Sequence, residues 1–459
     1  MRGIERVDWY LPGYRVDRAA LAELSGNPGG RGRRVVSGKD EDVVTMAATA
    51  ARRSREASGA VSRLFFSSTR PGYLDKGQAP IVASAAGLGP EVRAYDFHGS
   101  VRSGVGALVA GLDSPGRTMV ALADQRFGLP GSSEDLNGAD AAVAITVSDD
   151  SIAAVLSSAA ISAPLHDRWR PEGSIATRVW DVRWSADELD PLVDQVVEQA
   201  LTQADHTLDG VDHVVFTSPN PRVGASLRSR MAPVQQPAQR ISDAGVAQTG
   251  LELAHVLSVA EPGEVILVVV AADGADALLL RVTSGITERR PVSPFLPTAT
   301  IDLDAGTYLR WRGTLLRDSG RRPDPLPPAA PAAMRNRDWK YSLVSGECKH
   351  CGTRHLPPRR TCFHCGAHDE MLPQTLADAT ATVRTFTLDH LGGAGAGPVV
   401  VAVLDFDSGG RGRFELTDVD PDAVRIGDRV AMTFRIASDP PAGPRNYFWK
   451  GRPMMGSDQ

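Results

Sequence analysis

Gly346-Glu-Cys-Lys-His-Cys-Gly-Thr-Arg-His-Leu-Pro-Pro-Arg-Arg-Thr-Cys-Phe-His-Cys-Gly366 contains every cysteine of the chain. Two C-x2-C pairs, Cys348/Cys351 and Cys362/Cys365, stand ten residues apart, and a glycine follows each pair (Gly352, Gly366). Four thiolates at this spacing can close a tetrahedral Zn2+ shell, each glycine freeing the backbone of its knuckle. Four protein ligands leave no open coordination position, so the expected metal is structural rather than catalytic. Two disulfides, or four unmetallated thiols, are the competing readings. A chain with no other cysteine and no apolar signal core behind its first residues argues against the disulfides. His350 and His364, between the ligands, read as exposed spacers rather than alternative ligands.

On the C-terminal side of this cluster the texture is β. Residues 379–388, 399–406, 412–416 and 429–435 alternate apolar and polar positions between Gly/Asp turns, the pattern of a small β-barrel. On the N-terminal side, residues 321–331 (Arg-Arg-Pro-Asp-Pro-Leu-Pro-Pro-Ala-Ala-Pro) form a stiff, polar joint, the clearest domain boundary in the chain. Before it, strand-like and helix-like segments alternate. Short apolar runs at 63–67, 118–123, 139–146, 212–216 and 264–271 are interleaved with helical stretches at 104–112, 187–204 and 250–260. Uniformly apolar strands alternating with helices predict parallel sheets between helical layers, in two halves that could be copies of one unit.

The totals agree. A chain of 459 residues suits two or three domains, and 42% apolar with 23% charged residues supports a sizeable core. A net charge of -5 counts against a protein built to hold nucleic acid. Apolar runs are strand-length, far short of the ~20 residues that span a bilayer, so the expectation is a soluble cytoplasmic protein with no membrane partner.

The segment from Trp339 through Gly366, with the strands after it and Val424-Arg-Ile-Gly-Asp-Arg-Val, resembles the rubredoxin-like zinc ribbon plus OB-fold module of the DUF35 acyl-CoA-associated family. That resemblance implies a module that sits beside thiolases or related enzymes and helps hold acyl-CoA. The N-terminal region resembles the thiolase superfamily, and within it the 3-hydroxy-3-methylglutaryl-CoA (HMG-CoA) synthase branch. The guide segments are Tyr95-Asp-Phe-His-Gly-Ser-Val-Arg-Ser-Gly, Asp135-Leu-Asn-Gly-Ala-Asp, His166-Asp-Arg-Trp-Arg, Val214-Val-Phe-Thr-Ser-Pro-Asn-Pro-Arg, Ala260-Glu-Pro-Gly-Glu-Val and Tyr308-Leu-Arg-Trp-Arg-Gly. The implied architecture is a thiolase-like five-layer αβαβα domain (1–315), a Pro-rich linker (316–338), a zinc ribbon (339–372) and a small OB-fold β-barrel (373–459).

In this family a cysteine at the start of a buried helix is acylated by the acyl-CoA. The helix dipole and a histidine make its thiolate available. The resemblance places Val101 in that nucleophile slot and Thr217 in the histidine slot, with Pro219 and Asn220 retained. Ser84 falls in the slot of the acid/base glutamate, and the Gly-Asn pair of the second half reads Ser242-Asp243. Valine cannot be acylated, so the expectation is that condensation through a covalent acyl-enzyme is lost. Ser100 beside the slot is either a replacement nucleophile or a small helix cap, and His98 either a base or a hydrogen-bonded buried histidine. Asn220 is either pocket lining or a turn residue, and Asp243 a pocket carboxylate or a loop cap. Arg102 meets either a CoA phosphate or acyl carboxylate, or a salt bridge at a subunit interface. Arg384, Arg411 and Arg413 on the barrel are candidates for CoA phosphates. An oligonucleotide is disfavoured there by few aromatics (Phe386, Phe406, Phe414) and many aspartates.

The leading functional reading is an acyl-CoA-handling protein with a degenerate site. It would bind or scaffold an active thiolase or synthase, as a homodimer or hetero-oligomer, and handle acyl-CoA or an acyl-carrier substrate. The rival is an active acyl-CoA transferase, lyase or condensing enzyme using residues such as His98, Ser100 or Asp243. A regulatory or nucleic-acid-binding barrel protein comes third.

Overall fold

The computed structural model describes every residue except 28–29, 57, 232–240, 242, 297–298, 317–325, 392–396, 442 and 455–459. The proline-rich joint lies partly outside the described residues, and Ser242 lies wholly outside them.

Nine strands form one sheet: β1 (Gly3–Tyr10), β2 (Arg63–Ser68), β3 (Arg93–His98), β4 (Thr118–Asp124), β5 (Ala141–Ser148), β6 (Ala153–Ser162), β7 (His213–Thr217), β8 (Val265–Ala271) and β9 (Gly274–Val282). Their order is β7-β8-β9-β6-β1-β5-β4-β2-β3. The two halves meet where Gly3 and Ile4 pair with Ala154 and Ala153. A Cβ on Gly3 would stand 2.1 Å from the Ala153 carbonyl oxygen, so this seam requires glycine.

The expectation of parallel sheets is corrected here. Only β7/β8, β4/β2 and β2/β3 run parallel, and the other neighbouring pairs are antiparallel. The central strands are apolar without alternation because both faces are covered; β4, β5 and β8 are buried along their whole length. Double burial, which usually accompanies parallel strands, here comes with hairpins such as β8–β9, turned by Asp273 at φ 51° and Gly274 at φ 123°.

The helices follow from the same economy. α1 (Val43–Glu56) is buried along most of its length, and α3 (Arg102–Asp113) carries Gly104, Gly106 and Gly111. A Cβ at Gly111 would stand 3.0 Å from Val120 on β4, and one at Gly104 3.1 Å from Val246 in the turn Gly245–Ala247, so the small residues let α3 lie close on the sheet and on that turn. Between them runs the short α2 (Ala79–Ala85). Further on come α4 (Val182–Gln203), α5 (Pro221–Arg230) and α6 (Gln248–Val259).

The expected barrel strands are present with one more. β10 (Thr380–Asp389), β11 (Val399–Phe406), β12 (Arg411–Glu415), β13 (Arg429–Ser438) and β14 (Asn446–Pro453) run in the order β12-β11-β10-β13-β14. A bridge between Leu416 and Gly451 nearly closes the barrel. From the end of the joint onward, residues Ala330–Arg335 and Arg337–Ser342 are short helices.

The barrel is not held by its tether alone. Its core residues Phe434, Tyr447 and Trp449 belong to one apolar cluster with Tyr10, α1 and α2 of the N-terminal domain. At the start of α1, Asp40, Glu41 and Asp42 each meet a barrel cation: Lys450 at 2.9 Å, Arg435 at 2.6 Å and Arg445 at 3.0 Å, in that order. Arg435, completely buried, also pairs with Asp418 at 2.9 Å, and the Tyr447 hydroxyl donates to Asp42 at 2.6 Å. Burial raises the Glu41 carboxyl to about 7 against the opposing pull of Arg435.

Candidate functional site

β3 runs into the turn Gly99-Ser100-Val101, and α3 starts at Arg102. Gly99 sits at φ 135°, a conformation closed to ordinary side chains, and it turns the chain from strand to helix. This turn lines a cavity of about 140 Å3 together with Thr69, Arg126, Arg168, Arg170, Thr177 and Pro219. The loop between β6 and α4 contributes the hairpin Arg168–Trp169/Arg178–Val179, from which Arg168 and Arg170 reach the cavity wall.

Val101 is 7% exposed and packs in the core with Val105 and Val246 while facing this cavity. Ser100 also faces it. Its hydroxyl accepts from the Arg102 amide at 3.2 Å, so it serves the helix start as expected of a small cap. His98 is not on the cavity wall. Its ring packs edge-on against Phe66 at 5.5 Å, and Nε2 lies 3.1 Å from Asp96, whose carboxylate is taken by the amides of Gln78 and Ala79.

Pro219 reaches the cavity, whereas its neighbours do not. The Thr217 hydroxyl accepts from Thr249 at 2.9 Å in the buried interior. Asn220 caps α5 by accepting from Arg222, and its amide donates to the Val182 carbonyl and the Ser185 hydroxyl, each at 3.0 Å. Ser84, on α2, lies against the short helix Arg337–Ser342, where its carbonyl accepts from the Ser342 hydroxyl. Asp243 stands behind the cavity and pairs with Arg126 at 2.6 Å. Burial opposes its ionisation, but Arg126 overrides that cost and holds the carboxyl below its ordinary range.

Arg102 is engaged within its own chain. It donates to Asp276 at 2.7 Å, to the Asp273 carbonyl at 2.7 Å and to Ser162 at 2.9 Å. Arg384, Arg411 and Arg413 lie exposed on β10 and β12, away from the cavity, and Arg411 grips Asp405.

Sequence reasoning singled out the slot residues and missed the guanidiniums. Arg168 and Arg170 lay in the guide segment His166-Asp-Arg-Trp-Arg, and that density of arginine around a tryptophan was the available signal. Arg126 and the buried Asp124 follow an apolar strand, with no motif to mark them. Burial raises the Asp124 carboxyl, partly offset by Arg126 and by the amides of Val246 and Thr69. The cavity thus offers cations, hydroxyls and the residues Asp167 and Asp273. Among the described residues no cysteine or histidine lines it.

The ribbon meets its expectation closely. The four Sγ atoms of Cys348, Cys351, Cys362 and Cys365 lie within 4.8 Å of one another, with Cys348–Cys365 at 3.6 Å and Cys351–Cys362 at 3.5 Å. Tetrahedral Zn–S bonds of about 2.3 Å put sulfurs ~3.8 Å apart, so the cluster fits a structural zinc ion, and no disulfide joins these thiols. Gly352 and Gly366 take positive φ (69° and 76°), which lets their amides turn back to the carbonyls of Cys348 and Cys362. His355, behind the cluster, brings Nε2 to 3.4 Å from the Cys362 sulfur.

Fold and ribbon together define a thiolase-fold domain joined to a four-cysteine zinc ribbon and an OB-fold barrel. More narrowly, the first domain is HMG-CoA synthase-like and the C-terminal pair is of the ChsH2/DUF35 kind. Residues 340–370 match the family model for the ChsH2 rubredoxin-like zinc ribbon domain, and residues 374–435 that for the ChsH2 C-terminal OB-fold domain. The hydroxymethylglutaryl-CoA synthase of Aeropyrum pernix is 26% identical over 348 residues, covering 68% of this chain and 95% of that protein. A DUF35 domain-containing scaffold protein of Methanocaldococcus jannaschii is 29% identical over 127 residues, covering 26% of this chain and 89% of its own. The crystal structure of an HMG-CoA synthase complexed with CoA shares the fold at a TM-score of 0.59 and 17% identity, covering 68% of this chain and 90% of that one.

Proposed function

We propose that this chain binds an acyl-CoA, or an acyl group on a carrier, in the cavity at the start of α3 without forming a covalent acyl-enzyme, and that it serves a thiolase-family partner as a cytoplasmic binding or scaffold subunit. The observation that carries this reading is Val101, an inert hydrocarbon on the cavity wall at the start of the helix where the family places its reactive sulfur. The hydroxyl beside it, Ser100, is engaged by a backbone amide, and His98 faces Phe66 and Asp96 instead. Among the described residues no histidine lines the cavity to serve Ser100 as a base, which supports binding over condensation. Similarity to a CoA-complexed synthase and to a DUF35 scaffold protein supports both halves of the proposal.

An oligomer fits the sheet. Among the described residues β3 pairs on one side only, with β2, and leaves Tyr95 56% exposed on an edge that a second thiolase-type subunit can cover. Tethering an intermediate beside an active partner raises its effective concentration without new contacts.

The test is equilibrium binding of an acyl-CoA to the full chain, paired with purification from cells under mild conditions. One thioester bound per chain and a co-purifying thiolase or synthase are expected. No binding to the chain, alone or with that partner, refutes the proposal.

A further inference from the structure

A second hollow lies between the short helices after the joint and the last strands of the barrel, sharing no lining residue with the cavity at α3. It is a groove of about 380 Å3. Ala329, Ala332, Ala333 and Trp339 wall it from the helical segment, and Ala437 and Phe448 from β13 and β14. The Trp339 ring packs against Phe448 at 5.4 Å, and the small alanine side chains leave the space above them open. Small-molecule sites have volumes of about 300–1,000 Å3, so the groove is large enough to be one.

Among the described residues one charged side chain lines this groove, Lys340. It is 8% exposed, and its Nζ stands 5.2 Å from the centre of the Tyr341 ring, with no carboxylate within ion-pair distance and no hydrogen-bond acceptor among the described residues. The carboxylates beside these elements are engaged: Asp338 with Arg337 at 3.2 Å, and Asp42 and Asp439 with Arg445 at 3.0 Å and 3.1 Å. Two polar members of the wall are engaged as well. The Asn336 amide donates to the Ala332 carbonyl at 3.0 Å, and the Tyr447 hydroxyl to Asp42 at 2.6 Å.

Such a setting is unusual for a lysine of this chain, which has only five among its 50 Lys and Arg residues. Lys349 meets Glu370 at 3.1 Å, Lys450 meets Asp40 and Glu415 at 2.9 Å each, and Lys39 and Lys76 are exposed. Burial holds the Lys340 ammonium below its ordinary range. A desolvated cation with three free donors carries a cost that a bound anion offsets.

We propose that this groove binds a free fatty acid of medium length, its tail along the alanines and its carboxylate on the Lys340 ammonium. An apolar wall with one uncompensated cation complements a ligand with an apolar tail and one negative charge. The site does not depend on the acyl-CoA reading of the other cavity.

The test compares octanoate with octanol, equal in chain length and differing in charge, on the full chain by calorimetry. Octanoate is expected to bind about tenfold tighter, as one charge-assisted pair predicts. Lys340→Met should bring the two ligands to within about twofold of each other, and Lys340→Arg, which keeps the cation, should retain most of the preference. Lys340→Met removes a desolvated charge that no carboxylate compensates, so urea unfolding should find it at least as stable as the wild type. Ala333→Leu fills the groove and should weaken both ligands about tenfold. No octanoate binding, equal affinity for octanoate and octanol, a preference that survives Lys340→Met in folded protein, or binding indifferent to Ala333→Leu each overturns the inference and leaves the acyl-CoA reading untouched.

Discussion

Replacing Arg435 by methionine tests whether the barrel and the thiolase-fold domain are one structural unit. Arg435 is fully buried between Glu41 at 2.6 Å, Asp418 at 2.9 Å and Asp40 at 3.7 Å, with the Tyr10 hydroxyl at 3.2 Å. Methionine fills much of the space and removes the charge, leaving Glu41, wholly buried, and Asp418, nearly so, without compensation. Removing one member of a buried ionic cluster costs about 3–5 kcal/mol, because the remaining carboxylates must stay desolvated and unpaired or take up protons. Scanning calorimetry or urea unfolding reads this loss. A wild-type chain whose apolar cluster spans both domains should unfold them together, and Arg435→Met should lower or split that transition. Adding Glu41→Gln should recover part of the loss by removing the stranded charge, which separates electrostatics from packing. A loss below about 1 kcal/mol, or no recovery in the double variant, refutes the claim that this network holds the domains together.

Three further outcomes are expected. Glu41 is raised from its ordinary 4.5 to about 7, so the folded state favours its protonated form; its stabilising contribution is full below pH 4.5 and fades as pH rises through about 7. Glu41→Gln should flatten unfolding stability across that window, and an unchanged pH profile counts against it. Metal analysis of freshly purified protein should give about one zinc per chain, and chelation or Cys348→Ser should unfold the ribbon; a content well under half rejects the site. Asn220→Ala should cost about 1–2 kcal/mol of stability through the lost cap and amide bonds, with acyl-CoA affinity unchanged. Lost affinity at unchanged stability would place Asn220 in ligand contact instead.

Much of the fold was legible because its signals are local. The C-x2-C pairs with their glycines are read without any long-range contact, and the barrel strands alternate because one face is wet. Strand direction in the large sheet was not legible. Double burial erases the alternation that distinguishes antiparallel from parallel pairing, so β5, antiparallel to both its neighbours, read as a parallel strand. The last barrel strand, Asn446–Pro453, escaped notice because it follows a Pro/Gly-rich turn and carries Gly451. In the site, Val101, Ser84, Thr217 and Asn220 were all placed by resemblance; Val101 lines the cavity at the turn after β3, and the other three stand off its wall. The arginines arrive from the end of β4 and from the hairpin before α4, far apart in the chain, and only folding brings them together. The docking of Asp40, Glu41 and Asp42 on the barrel was hidden for the same reason: Arg445 and Tyr447 stand 403 and 405 residues along the chain from Asp42.

Placing a thiol at the proposed nucleophile slot gives the most direct test. Wild-type protein and Val101→Cys are each incubated with an acyl-CoA, and their intact masses measured before and after reduction of any disulfides. A thiol at the start of α3 lies where a helix N-terminus and the nearby guanidiniums favour the thiolate. The account predicts that the wild type binds the thioester with its mass unchanged, while Val101→Cys gains the mass of one acyl group at residue 101. An acyl group carried by the wild type within residues 1–315, or a Val101→Cys protein that binds the thioester and stays unmodified, contradicts it.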